Sequence, residues 1–255
     1  MEISFMVPEA HLPLAWVSKK HFISAGLFLS SEVYRSNANA LKDRGDTIIL
    51  GTGVFDYYSD RYPVFHTGHI KAIISELQPD LLVLPCAKRD TPNFNGDILS
   101  GLDSFAASES DFLLPIRSTR WNLLEQEMTF YSTLECSRIK ALGLPKEMEQ
   151  LAEGNEGGRA NFLISPLIGK GWISSLDIWL LGAYKDPLIE FLSVKKHKRV
   201  IGGDSSKPWR ICNQFRTVSE ARPYPPEFDF KQDEVDETTY WFINSQFQEL
   251  IGHLK

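Results

Sequence analysis

Cysteine is scarce in this chain, and the three present, Cys86, Cys136 and Cys212, stand far apart. An odd, scattered set excludes a disulfide framework and offers no zinc-ligand spacing, so no structural zinc is expected and a reducing compartment is the simpler setting. Long apolar runs are missing too. None approaches the eighteen or so residues of a membrane span, and no membrane partner is expected. The opening MEISFMVPEAH has no basic n-region and reads as a strand rather than a signal peptide, which points to the cytoplasm. Positive charge is not in excess: 33 Asp and Glu outweigh 27 Lys and Arg, for a net charge of −6. A protein that holds nucleic acid by bulk charge is usually basic, so any such contact here has to be local. Internal repeats and low-complexity tracts are absent.

What is present fits one large folded domain. The 255 residues are 43% hydrophobic and 12% aromatic, too rich for disorder. Short apolar runs recur, each bounded by polar residues, Gly or Pro. They are EISFMV (2–7), GLFLSS (26–31), DTIILGTG (46–53), DLLVLPC (80–86), DFLLPIRST (111–119), ANFLISPLIG (160–169), DIWLLGA (177–183) and RVIGGDSS (199–206). Most are continuous rather than alternating, as in parallel strands covered on both faces. Helical patterns lie between several of them: 66–78, then 121–143 with Gly143-Leu144-Pro145 as its stop, then 186–193 with Asp186 as N-cap and Pro187 at the first position. Eight strands alternating with helices predict an α/β fold, a (β/α)8 TIM-type barrel of some irregularity. A doubly wound sheet is the alternative. The barrel is expected over about 1–212. An acidic, Pro-rich extended tail and a closing amphipathic helix at 237–255 complete a single domain over 1–255.

In such a barrel the chemistry sits where strands end. After the fourth run come Lys88, Arg89 and Asp90, and at the end of the fifth Arg117 and Arg120. Lys170 follows the sixth, Lys185 the seventh, and Asp204, Lys207 and Arg210 the eighth. These cations read either as ordinary polar loops or as a positive rim around a phosphate-bearing substrate. The basic run KKHKR (195–199) precedes the eighth strand and belongs to the opposite end. In RVIGGDSSKPWR (199–210), Val200 and Ile201 read as barrel core, and Gly202 and Gly203 as room for something to approach the backbone. Asp204 then emerges where a reacting carbon sits. A carboxylate there can attack an anomeric carbon and hold a covalent glycosyl intermediate. The same spacing also fits an Asx turn at a strand exit.

The last two strands resemble the tRNA-guanine transglycosylase superfamily. LLGAYKDPLIEFL (180–192) is similar to that family's strand ending in Met-Gly-Val-Gly-Thr-Pro, and VIGGDSSKPWR (200–210) to its Phe-Asp-Cys-Val-Leu-Pro-Thr-Arg, whose Asp is the nucleophile. ISPLIGKG (164–171) is similar to the Gly-Gly-Leu-Ala-Val-Gly strand end that meets the base. LVLPCAKRDTP (82–92) resembles Asp-Glu-Cys-Thr-Pro, and ILGTGVF (49–55) stands where the family has Asp-Ser-Gly-Gly-Phe. The order of all five pieces is kept over about 46–212. Three departures stand out: Gly51 replaces the family's base-facing Asp, Leu84 or Pro85 stands at its second base-binding acid, and the Cys-x-Cys-x-x-Cys zinc site with its later His is absent. The short, zinc-less form looks more like the branch that inserts 7-deazaguanine bases such as preQ0 into bacterial and phage DNA.

The resemblance implies that Asp204 attacks C1′, expels guanine and is displaced by the incoming base, without a cofactor. Asp56 is the candidate for the missing acid. Gly51, Thr52, Cys86, Arg117, Pro166, Leu167, Lys170, Gly182, Lys207, Trp209 and Arg210 are the expected substrate-binding positions. The expected partners are nucleic acid, DNA before tRNA, and a 7-deazaguanine base. A homodimer is compatible with this reading, as is host cytoplasm for a phage-encoded chain. Base exchange in a duplex needs the target base out of the stack, and Tyr57, Tyr58, Trp121, Tyr184 and Trp209 are candidate wedges. Two rival readings are a metal-dependent barrel hydrolase using HTGH (66–69) and a non-catalytic nucleic-acid-binding accessory protein.

Overall fold

The computed structural model describes residues 1–7, 9–52, 67–84, 94–146, 148, 151, 164, 166–172, 175–182, 187–205 and 236–254. Eight strands form one sheet: β1 (Glu2–Phe5), β2 (Lys20–Ser24), β3 (Thr47–Gly51), β4 (Leu81–Val83), β5 (Asp111–Pro115), β6 (Ile139–Pro145), β7 (Asp177–Leu181) and β8 (Val200–Ser205). The hydrogen-bonded order is β1-β8-β7-β6-β5-β4-β3-β2, and every pair is parallel. The ladder is thus open between β1 and β2. A side chain bridges that seam, the Phe22 N–H donating to Ser4 Oγ at 2.7 Å. The result is a nearly closed (β/α)8 barrel of the TIM type with a C-terminal helix.

The barrel has two apolar layers. Ile49, Leu81, Val83, Leu113, Ala141, Trp179 and Leu181 form the inner cluster, with Phe22 and Ile201 against it. The alternate strand residues, among them Ile3, Phe5, Ile48, Leu50, Phe112, Leu114, Leu142 and Leu180, pack outward against the helices. Those helices are α1 (Ala25–Ser30), α2 (Glu32–Asp43), α3 (Thr67–Leu77), α4 (Phe94–Ser104), α5 (Trp121–Ser132), α6 (Pro187–Val194) and α7 (Glu237–Leu254). A 3-10 segment, Glu9–Val17, fills the place after β1, and Ile164 with 166–169 is helical after β6. The closing helix α7 behaves as its sequence predicts. Its buried face carries Ile243, Phe247, Leu250, Ile251 and Leu254, and the Phe247 ring stacks on Phe5 with centroids 4.0 Å apart.

Two of the eight expected strands are corrected. GLFLSS (26–31) is not a strand. Ser24 caps a helix there, its side chain accepting from Leu27 N, and the true second strand is the KHFIS just before it. A four-residue apolar run satisfies a buried strand and a short helix equally well. The second correction falls on 160–169, whose described residues are helical, with Ile164 and Leu167 buried three apart. The sixth strand is instead Ile139–Pro145, which the sequence reading assigned to the end of a long helix; α5 stops at Ser132.

Candidate active site

Asp204 lies near the C-terminal end of β8, and a local irregularity aims it into the barrel. In a regular strand the inward Ile201 would be followed inward by Gly203 and Ser205, leaving Asp204 among the helices. The register between β7 and β8 shifts at this point: Ile178 pairs with Val200, but Trp179 pairs with Gly202. The extra residue resets the alternation, as a β-bulge does. A Cβ on Gly202 would fall 2.6 Å from the Trp179 ring, on the inner side. One on Gly203 would fall 2.8 Å from Phe191, on the outer side. Asp204 therefore faces inward, and it is 5% exposed.

Both carboxylate oxygens are held. Trp179 Nε1 donates to Oδ1 at 2.9 Å, and the Gly182 backbone N–H donates to Oδ2 at 3.0 Å. Gly182 has φ +66°, a conformation glycine adopts freely, which turns its N–H back toward β8. The two glycines before Asp204 have a different purpose from the one expected. They make room for Trp179 and Phe191, not for substrate: a Cβ on Gly202 would also fall 2.3 Å from the Glu2 carbonyl oxygen. Trp179 was not among the expected site residues. Its signal was an indole in the middle of a buried strand, since a buried indole N–H requires an acceptor.

On the neighbouring wall, Ser4 of β1 pairs in register with Asp204 and is buried, and β2 brings Phe22. The Phe22 ring fills the space beside Gly51, so that a Cβ at position 51 would lie 2.4 Å from its tip. The ring thus takes the space that an Asp at this position would need. Thr52, the next residue, is 6% exposed, and its Oγ1 has no hydrogen-bond partner among the described residues.

Arg117 follows β5. Leu113 points inward and Ile116 outward, so alternation carries Arg117 to the inner face of the mouth, where it is 6% exposed. Its loop is tied down by Glu127 of α5, which the sequence reading missed. Glu127 accepts from Arg117 N at 2.9 Å, Ser118 N at 3.0 Å, Ser118 Oγ at 2.6 Å and Tyr131 OH at 3.2 Å. Burial pushes its carboxyl above the usual range, and these hydrogen bonds oppose that shift.

The remaining expected residues divide. Pro166, Leu167 and Lys170 are not at a strand end, because the helix replaces the sixth strand expected there. Leu167 is core, while Lys170 is exposed, pairs with Glu125 of α5 and lies over the Trp172 ring. Lys170 therefore belongs to the outer layer and not to a rim of strand-end cations. Asp56, Cys86, Lys207, Trp209 and Arg210 lie outside the described residues, as do Tyr57, Tyr58, Lys88, Arg89, Tyr184 and Lys185. Of the HTGH pair, His66 is also outside them and His69 is exposed on α3. Among the described residues no three His, Cys, Asp or Glu side chains converge to hold a metal ion, and no helix is long and apolar enough to cross a membrane. The run 195–199 lies before β8 as expected, with Lys195 bonded to the His253 carbonyl and Arg199 3.8 Å from Asp177.

No protein-family model matches the chain, and no curated protein matches it.

Proposed function

We propose that this barrel is a base-exchange glycosyltransferase that replaces guanine in nucleic acid, DNA before tRNA, with a 7-deazaguanine such as preQ0. The observation that carries the reading is a buried carboxylate, Asp204, turned into the barrel by a bulge at its C-terminal end. This is the end where barrels of this type do their chemistry. Neutral donors on each oxygen, the Trp179 indole and the Gly182 amide, set the plane of the carboxylate.

In the proposed reaction an Asp204 oxygen attacks C1′ of the target nucleotide. The C1′–N9 bond breaks, and its electron pair leaves with guanine, which takes up a proton. The ester between Asp204 and C1′ is then attacked by N9 of the incoming base, which loses its proton as the Asp204–C1′ bond breaks. Two inversions give net retention, as in double-displacement glycosidases. One proton is gained and one lost, and no redox partner is required. Phe22 and Thr52, whose hydroxyl has no hydrogen-bond partner among the described residues, stand on the wall where the superfamily keeps a base-binding acid. In this reading Arg117, which follows β5, meets phosphate, a contact that fixes register without reading sequence.

The test is incubation with DNA or with tRNA, each with preQ0 and related bases, followed by nucleoside mass spectrometry. The wild-type protein should incorporate the base. Folded Asp204→Ala and Asp204→Asn variants should lose the rate by roughly a thousandfold or more, as nucleophile removal does. Turnover retained in either folded variant would remove Asp204 from the chemistry.

A further inference from the structure

We infer that Trp179 is the positioning residue of this site, setting both the ionisation and the aim of Asp204; the inference rests on the proposed role of Asp204. Trp179 is fully buried and is the largest side chain of the inner cluster. An indole this size fills a barrel interior by itself, so a purely structural role would be served as well by phenylalanine or leucine. The surroundings of this one are built for a particular pose.

The bulge puts Gly202, not Ile201, opposite Trp179 in the ladder. Gly202 leaves open the space beside ring atom Cζ3, where a Cβ would sit 2.6 Å away. With that edge of the ring set against bare backbone, Nε1 reaches Oδ1 of Asp204 two residues further along β8, at 2.9 Å. Indole is a donor only and cannot exchange roles with its acceptor. It therefore favours the carboxylate over the carboxylic acid, whose protonated oxygen accepts poorly. In a water-poor interior that preference is stronger than on a surface. The Gly182 N–H acts on the other oxygen in the same sense, at 3.0 Å. A nucleophile buried to this degree would otherwise tend to take up a proton, because burial disfavours its charged form. Trp179 thus offsets the desolvation that the barrel imposes on its own nucleophile, and it fixes the orientation of the carboxylate.

Other ionisable groups surround β8. Glu2 is on β1, Asp177 on β7 and a buried Glu190 on α6, while Arg117 and Lys146 follow β5 and β6 at the mouth. Trp179→Phe changes none of them, so their influence on Asp204 is common to both proteins and cancels in the comparison.

The experiment compares wild type with Trp179→Phe, which keeps a buried aromatic ring and removes only the donor end. The expected result is a kcat lower by about 10- to 100-fold, the effect of losing a hydrogen bond to a charged group, with KM for the nucleic acid within about twofold. The acid limb of the kcat/KM profile should move up by about one pH unit. A loss of rate with an unmoved acid limb would mean that Trp179 only fills space, and would overturn the inference. A second measurement does not depend on turnover or on the folding of Trp179→Phe. The Trp179 indole 1H–15N signal of the wild-type protein, assigned through its contacts with the Gly202 α protons, should shift as Asp204 titrates and stay flat in Asp204→Asn. A signal that does not respond to pH, or that responds equally in Asp204→Asn, refutes the coupling. If wild-type protein exchanges no base while the indole titrates as expected, the proposed function fails and the Trp179–Asp204 coupling stands.

Discussion

At the scale of single residues, the position of Asp204 was legible in the sequence and its surroundings were not. An acid after Gly-Gly at the end of the last apolar run marks a strand exit. The indole that holds it sits 25 residues earlier, and only the β7–β8 register brings the two together. Glu127 was hidden for a similar reason. In WNLLEQEM it is one of two acids in an ordinary helical stretch, and nothing local tells it from Glu125. The structure separates them. Glu125 is an exposed partner of Lys170, whereas Glu127 is 4% exposed and accepts two consecutive backbone N–H groups of the loop that presents Arg117. Glu127→Ala leaves those amides buried and unpaired. It should cost about 1–3 kcal/mol of stability by chemical denaturation. The Arg117 and Ser118 amides should also lose protection in hydrogen exchange more than those of β5. Unchanged protection at both amides would show that the loop holds itself.

At the scale of elements, the misread pieces share one cause: both faces of a barrel strand are buried, so periodicity carries little information. RIKALGLP looks like a helix end because its inward positions are Ala141 and Gly143, neither a strand former. They are small because their neighbours use the space. A Cβ on Gly143 would lie 2.5 Å from Leu181 Cδ1 and 2.7 Å from Leu113 Cδ2, so leucines from the two flanking strands meet over it. The run DIWLL was easy to place because its own side chains fill the interior. Gly143→Val should therefore overpack the barrel and destabilise it by about 1–3 kcal/mol in urea unfolding. The penalty should shrink in Gly143→Val with Leu181→Ala, since the second change empties the space the first one needs. Additive losses in that double variant would mean that the interior at β6 is not limited by Leu181.

At the scale of the whole molecule, the two ends of the barrel carry different demands, and the N-terminal end shows this through Asp46. This residue precedes β3 and is 4% exposed. It accepts from Lys19 Nζ and meets His21 Nε2, each at 3.0 Å, and also accepts from Arg44, which donates to the Ser18 carbonyl and lies over the Trp16 ring. The cluster ties the starts of β2 and β3 together near the open β1–β2 seam, far along the strands from Asp204. Burial works against ionisation of Asp46, but the hydrogen bonds from Arg44, Lys19 and His21 outweigh it and hold the carboxyl below the usual range. Burial lowers the His21 pKa, against the opposing pull of Asp46. Both shifts have the same sign for stability. As pH falls below about 6.5 the unfolded chain protonates its histidine before the folded one does. Below about 4 the same holds for Asp46, so stability should drop in two acid steps. Asp46→Asn should cost about 2–4 kcal/mol at neutral pH, less than a fully buried pair would because Lys19 is largely exposed. It should also erase the lower acid step while keeping the upper one, since His21 loses the carboxylate that raised its pKa. If the two ends are independent, base exchange per folded molecule measured well below the variant's Tm stays at the wild-type rate. A fall in that rate, with pH-dependent stability unchanged, would place Asp46 in the chemistry and reverse the division between the two ends of the barrel.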